Sequence, residues 1–274
     1  MTKEDYIGED GLLHCGICDE AKEAYILTDN IWEKDRRTRN CRCVREYHEA
    51  QKAADDYTRH LNEVDQLKRN CFKYSNFTDA TFENSKNKNK QFVYCQDYVH
   101  NWDETKEKNI GLLFWGDVGT GKTYLAACIA NALIEQEVSV KMLNFSHILN
   151  SGFETRNELL EDICRCSLLI IDDFGSERET EYGLETIHSV LDARYNCGKP
   201  MIVTTNLPLQ TINHPTDVMH KKIYDRLKNC VPIQFTGESF WESKERRIPT
   251  NIVECSRQFL SIVYVAKRSI RPCT

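Results

Sequence analysis

The stretch Leu112-Leu-Phe-Trp-Gly-Asp-Val-Gly-Thr-Gly-Lys-Thr123 decides the fold. Its first four residues are apolar and strand-like, and Gly116-Asp117-Val118-Gly119-Thr120-Gly121-Lys122-Thr123 follows the pattern G-x-x-x-x-G-K-[ST], with a helix-forming run from Lys122 to Ile134 behind it. Phosphate oxygens need many donors in a small concave space. Glycines at 116, 119 and 121 permit this, because no Cβ blocks the approach of backbone N–H groups. The positive end of the next helix adds to that field. Residues 116–123 therefore read as a nucleotide cradle, with Lys122 reaching the β and γ phosphates and the Thr123 hydroxyl ligating Mg²⁺. A glycine turn without a ligand is the bland alternative.

A second motif weakens that alternative. Leu168-Leu-Ile-Ile171 is a buried-strand run that delivers Asp172 and Asp173 at its carboxyl end, where ligands of open α/β sheets gather. Asp172 is expected in the Mg²⁺ shell, and Asp173 is expected to orient and deprotonate the attacking water. Met201-Ile-Val-Thr-Thr-Asn206 is a third strand-like run, ending in an amide that can hydrogen-bond a γ phosphate or the water.

Around these motifs, strand-length apolar runs alternate with helical patterns, the rhythm of a parallel α/β sheet flanked by helices. We expect strands at Leu112–Trp115, Val138–Leu143, Leu168–Ile171, Met201–Thr204 and Val231–Phe235, and helices at Lys122–Ile134, Glu154–Cys164, Glu179–Asn196 and His220–Lys228.

The first seventy residues have another texture. Cys15-Gly-Ile-Cys18 and Cys41-Arg-Cys43 supply two thiolate pairs able to wrap one tetrahedral Zn²⁺. A short segment with few large apolar residues needs something in place of a core, and structural zinc can supply it. His14 and His48 are spare candidates, but four sulfurs are the expected set. Incidental reduced cysteines are the alternative; a redox C-x-x-C is disfavoured because no thioredoxin-like strand precedes it. Between Trp32 and Arg45 six basic side chains face only Glu33 and Asp35. From Val44 to about Asn70 there is no Pro or Gly, which predicts a mostly exposed helix. Residues 84–91, Asn-Ser-Lys-Asn-Lys-Asn-Lys-Gln, predict a loop.

Composition bounds the remaining choices. Thirteen cysteines in 274 residues is an odd number and too sparse for a disulfide scaffold, so reduced thiols and a metal site fit better. The first ten residues lack a positive segment followed by an apolar one, and no apolar run approaches membrane-helix length, so a cytoplasmic chain without membrane association is expected. A formal charge of −6 argues against coating duplex DNA by charge alone.

Taken together, the phosphate loop, Asp172-Asp-Phe-Gly-Ser-Glu177, Thr204-Thr-Asn-Leu-Pro208 and Ile223-Tyr-Asp-Arg-Leu227 resemble the AAA+ ATPases of the DnaC/DnaI-type helicase loaders over about residues 71–240, with Cys71–Asn84 similar to that family's lead-in. The resemblance implies a P-loop AAA+ domain preceded by a small zinc module and a helical linker: residues 1–50, 51–90 and 91–240, with 241–274 a divergent tail. It implies Asn206 as sensor and Arg226 as an arginine finger acting in a neighbouring subunit, although on pattern alone Arg226 reads as a surface helix arginine. It also implies a replicative DNA helicase and single-stranded DNA as partners, self-association through the ATPase domains, and release of the loader on ATP hydrolysis. The implied cofactors are ATP, Mg²⁺ and Zn²⁺. Arg156, with Phe145 and Phe153 nearby, is a candidate pore contact for single-stranded DNA, the alternative being that the phenylalanines are core, and Arg246 or Arg247 is a candidate second sensor. An IstB-like transposition helper, which shares the core motifs, and a nucleotide-switched nucleic-acid adaptor using the zinc segment and the basic run are the competing readings.

Overall fold

The computed structural model describes residues 4–27, 34–73, 75–85, 88–144, 153–175 and 180–237. They divide into two compact units, one running to Leu61 and the other starting at Asn62.

The first unit is built from two small antiparallel hairpins, β1 (Tyr6–Ile7) with β2 (Leu13–His14) and β3 (Glu23–Leu27) with β4 (Lys34–Thr38), followed by α1 (Arg42–Cys71), whose last third belongs to the second unit. The basic run is split between β4, which carries Lys34, Arg36 and Arg37, and the first turn of α1, which carries Arg42 and Arg45. Its charges are answered locally: Arg36 pairs with Glu23, Arg37 with Asp35, Arg39 and Arg45 with Glu20, and Arg42 with Glu46.

The second unit carries a five-stranded parallel sheet. Its strands are β5 (Gly111–Gly116), β6 (Val140–Asn144), β7 (Leu168–Phe174), β8 (Met201–Thr205) and β9 (Cys230–Phe235), in the order β6-β7-β8-β5-β9. Because side chains alternate along a strand, each strand feeds two cores. Leu112, Phe114, Met142, Leu168, Ile170, Ile202 and Phe235 face one way. There they pack on α2 (Lys90–His100), α3 (Trp102–Glu107) and α4 (Lys122–Ile134). Leu113, Leu143, Leu169, Ile171 and Val203 face the other way, toward α5 (Phe153–Arg165), α6 (Glu181–Asn196) and the shorter α7 (Leu209–Asn213) and α8 (Val218–Leu227). The α/β sandwich expected from the sequence is present.

Two sequence-level details differ. β6 starts two residues later than expected, because Val138 closes the turn after α4 through its N–H to Leu133 O. Residues 90–107, left without an element above, form α2 and α3. Asn89 caps α2 by accepting from Phe92 N at 2.9 Å, ending the polar loop before Gln91.

One side chain binds several elements of this unit. Arg194 on α6 is completely buried, with Nε and Nη2 donating to Pro200 O, Nη1 to Ile163 O and Cys166 O, and Nη2 also to Ser167 O, at 2.6–3.2 Å. Its positive charge sits where the carbonyls at the end of α5 gather, which suits the negative end of a helix.

Candidate functional site

The strand order determines what meets at the carboxyl edge of the sheet. β8 lies between β5, which runs into the glycine loop, and β7, which carries the aspartates. Gly116, Gly119 and Gly121 have φ of 135°, 80° and 91°. At Gly116 the requirement is absolute, since a Cβ there would lie 2.0 Å from Phe235 O. Asp117 and Val118 form the exposed tip, and Thr120 Oγ1 ties the loop by donating to Asp117 O at 2.7 Å. Gly121 has no side chain to cap α4, so the first-turn amides of that helix are left to a ligand. Lys122 is only 6 % exposed and donates Nζ to Gly116 O at 2.8 Å and Asp117 O at 2.6 Å, folding over its own loop. Burial holds its ammonium pKa down, with Asp173, Asp117 and Asp172 acting in the opposite sense.

Asp172 is where β7, β8 and the first turn of α4 meet. Its Oδ1 accepts from Thr123 Oγ1 at 2.8 Å and from Thr204 Oγ1 at 2.7 Å. Burial raises its pKa above the ordinary carboxylate value, and the two hydroxyls only partly offset this. The β7–β8 register slips between Ile171 and Phe174, a bulge that places Asp173 at φ 59° in the left-handed region. Two threonines secure the bulge, since Thr204 Oγ1 accepts from Asp173 N at 3.0 Å and Thr205 Oγ1 donates to Phe174 O at 2.7 Å. Bulges re-aim side chains, and this one turns Asp173 out of the strand's alternation.

The structure thus brings Lys122, Thr123, Asp172 and Asp173 to one edge, and adds Thr204, which the sequence reading missed. The signal was the Thr-Thr pair before Asn206, where only the amide had drawn attention. Asn206 follows β8 directly and is exposed. Arg226 lies on α8 away from this cluster, with Nε and Nη2 on Asp192 Oδ1 at 3.0 and 2.7 Å and its guanidinium 4.5 Å from the Tyr195 ring centre. The side chains of Phe145, Phe153, Arg156, Arg246 and Arg247 lie outside the described residues.

The amino-terminal sulfurs also converge. The Sγ atoms of Cys15, Cys18, Cys41 and Cys43 all lie within 4.8 Å of one another, with Cys15–Cys43 at 3.5 Å and Cys41–Cys43 at 3.3 Å. Sulfurs around one Zn²⁺ stand about 3.8 Å apart, given Zn–S bonds of about 2.3 Å, so the donor set fits a tetrahedral ion. The second pair brackets the start of α1, whose positive end favours thiolates. Both ring nitrogens of His14 are engaged elsewhere, Nδ1 with Asp19 O at 2.9 Å and Nε2 with Asp10 Oδ2 at 3.0 Å. No helix among the described residues is long and apolar enough to cross a membrane.

Comparison with known proteins agrees with this geometry. The family model described as IstB-like ATP binding protein matches residues 32–247. The YqaM protein of Bacillus subtilis (strain 168) is 26 % identical over 248 residues, covering 85 % of this chain and 72 % of that protein. The replicative helicase loader DnaC of Escherichia coli (strain K12) is 29 % identical over 137 residues, or 47 % of this chain, and the match spans about half of that protein, 55 %. Among solved structures, that of DnaI aligns with a TM-score of 0.50 at 24 % identity, over 60 % of this chain and 91 % of the other. The DnaC helicase loader aligns with a TM-score of 0.50 at 21 % identity, over 58 % and 98 %. Both structural likenesses concern the fold.

Proposed function

The chain belongs to the IstB-like ATP-binding proteins, and from that premise we propose that it is an ATP hydrolase that loads a replicative DNA helicase onto single-stranded DNA, with hydrolysis releasing the loader. The observation that carries the ATPase half is the three-way meeting of Thr123, Asp172 and Thr204 beside the glycine loop. The loader half rests on likeness to the E. coli helicase loader, together with the cysteine cluster in the first unit.

In this reading residues 116–123 hold the phosphates, and Lys122 exchanges its two loop carbonyls for phosphate oxygens. Thr123 and Asp172 hold Mg²⁺, which when bound neutralises charge on the phosphates. Asp173, turned out by the bulge, orients the attacking water and takes its proton, while Asn206 senses the γ phosphate. Arg226 leaves Asp192 to reach a neighbouring subunit, so hydrolysis depends on self-association. Cys15, Cys18, Cys41 and Cys43 hold structural Zn²⁺ in residues 1–50, the part that engages the helicase. Residues 51–90 serve as arm and linker, 91–240 as ATPase, and 241–274 receive no role. The adaptor reading, in which the basic run reads nucleic acid, loses support from the acidic partners of those arginines.

The test is the mass, by size-exclusion chromatography with light scattering, of the protein mixed with its cognate replicative helicase, ATP and Mg²⁺. We expect a stable complex that is lost on Cys15→Ser with Cys18→Ser, and no ATP binding by Lys122→Ala. Absence of any complex despite intact ATP binding would move the assignment to a transposition helper. Asp173→Asn should keep ATP binding but lower hydrolysis about 10²-fold or more.

A further inference from the structure

The four amino-terminal sulfurs come from two places in the chain, and something must hold those places together. Cys15 and Cys18 belong to a closed turn, in which Asp19 N donates to Cys15 O at 2.9 Å and Cys15 N to Glu20 O at 3.0 Å. Cys41 stands immediately before α1 and Cys43 lies in its first turn, with Val44 N and Arg45 N donating to Cys41 O at 3.1 and 3.0 Å. A residue in the position of Cys41 ordinarily satisfies a first-turn amide with a side-chain oxygen. Cys41 offers only a sulfur, which lies within 4.8 Å of the other three, and the first turn of α1 contains no acidic residue.

Glu20 supplies what is missing. Its carboxylate accepts from Arg42 N, the first amide of the helix, and from Arg45 Nη2, at 3.1 Å to Oε1 and 3.0 Å to Oε2. Negative charge at that end also suits the helix dipole. Arg39 closes the link from the other side, with Nη2 at 3.8 Å from Glu20 Oε1 and Nε donating to Ala21 O at 2.8 Å, while Arg45 Nη1 donates to Asn40 O at 2.6 Å. Glu20 is therefore bonded to the first sulfur pair through its main chain and to the second through its side chain. An exposed ion pair contributes little by itself. A carboxylate that fixes two ligand-bearing segments acts instead on the cost of ordering them around a metal.

We propose that Glu20 is a positioning residue for the metal: it touches no ion, but it caps the helix that carries Cys41 and Cys43 and so holds the second sulfur pair against the first. This rests on the zinc reading of the cluster.

The test titrates Zn²⁺ into the full chain, reduced and metal-free, in competition with a chromogenic chelator, and records the visible spectrum with Co²⁺ in place of Zn²⁺. The parent should take up one ion and show the bands of a tetrahedral four-sulfur site. Glu20→Ala should bind one ion about 10–100-fold more weakly, with unchanged Co²⁺ bands because all four sulfurs remain. Glu20→Gln, which keeps an acceptor for Arg42 N, should recover part of that loss. Glu23→Ala, which breaks the ion pair with Arg36 and leaves the helix cap intact, should lose less than Glu20→Ala. Four results would each overturn the proposal: Glu20→Ala binding as tightly as the parent, altered Co²⁺ bands in Glu20→Ala, no recovery in Glu20→Gln, or an equal loss in Glu23→Ala. A parent that binds no ion, or binds one as well after Cys18→Ser, would overturn the zinc reading itself.

Discussion

The two units solve the same thermodynamic problem with different materials. Up to Leu61, the buried apolar residues among those described are Cys15, Ala21 and Cys41, while Tyr6, Ile7, Ile17, Tyr25 and Ile26 stay exposed. From Asn62 onward, both faces of the sheet are lined with buried aliphatic and aromatic side chains. Ordering the chain costs roughly 1–2 kcal/mol per residue, which burial must offset in either unit. The first unit has little to bury, so on the proposed zinc reading its order depends on the four sulfurs; the second depends on packing. Each should therefore fail under a perturbation that the other tolerates.

Denying the four sulfurs the proposed metal should give the largest contrast. Structural zinc contributes about 10–16 kcal/mol of apparent binding energy in finger-like peptides. Cys41→Ser, or a strong chelator, is expected to abolish amide protection in residues 4–40 while the sheet strands keep theirs in hydrogen-exchange mass spectrometry. Protection surviving in the hairpins would show that the ion pairs of Glu20 and Glu23 suffice, and the contrast would collapse. The converse perturbation is Phe114→Ala. Phe114 is fully buried, its ring centre 4.9 Å from that of Phe235, so the cavity should cost about 3–5 kcal/mol of unfolding free energy in the second unit alone. Denaturant unfolding followed by a probe in each unit would read this directly, and an equal loss in both would merge them into one cooperative body.

Arg194 sharpens the comparison, because it is a polar device inside the apolar unit. Arg194→Met should cost about 3 kcal/mol, since the carbonyls of Ile163, Cys166, Ser167 and Pro200 lose their donor without access to water. A neutral substitution would mean that water can replace the guanidinium.

The smallest expected effect has the opposite sign. Burial raises the Asp172 pKa, so the folded state holds the Asp172 proton more tightly than the unfolded chain does. That contribution is fully present below the ordinary carboxylate pKa near 4 and is lost as pH rises through the raised folded value. Without nucleotide at neutral pH, Asp172→Asn is expected to melt slightly above the parent, with the gap closing as pH falls toward about 4. A gap constant with pH would separate the gain from this titration. The same variant should lose Mg²⁺-dependent ATP hydrolysis, the stability–activity conflict typical of a binding site.

These regions also differed in how much could be read in advance. The five sheet strands were legible because each is an apolar run cut by glycine or a polar turn, and α4 came out at Lys122–Ile134 as expected because Gly121 and the end of the apolar pattern mark its limits. The β3–β4 hairpin was not legible. Lys34-Asp-Arg-Arg-Thr38 has no apolar alternation, and its strand state depends on pairing with Glu23–Leu27 and on carboxylates distant in sequence. Within the site, the loop and the aspartates were visible as residue types in order. The bulge and Thr204 were not, because a register slip between strands and a hydroxyl shared by two aspartates exist only after the strands pair.

That shared hydroxyl has a direction. Thr204 has a single proton, donated to Asp172, and a lone pair that accepts from the Asp173 amide, so the three groups form a polarised chain of donors running one way. Such chains strengthen or weaken together. Any change in charge at Asp172, whether by proton or by cation, should therefore reach the Asp173 N–H as a change in its electron density, making that amide's nitrogen and proton resonances a built-in gauge of what occupies the neighbouring carboxylate.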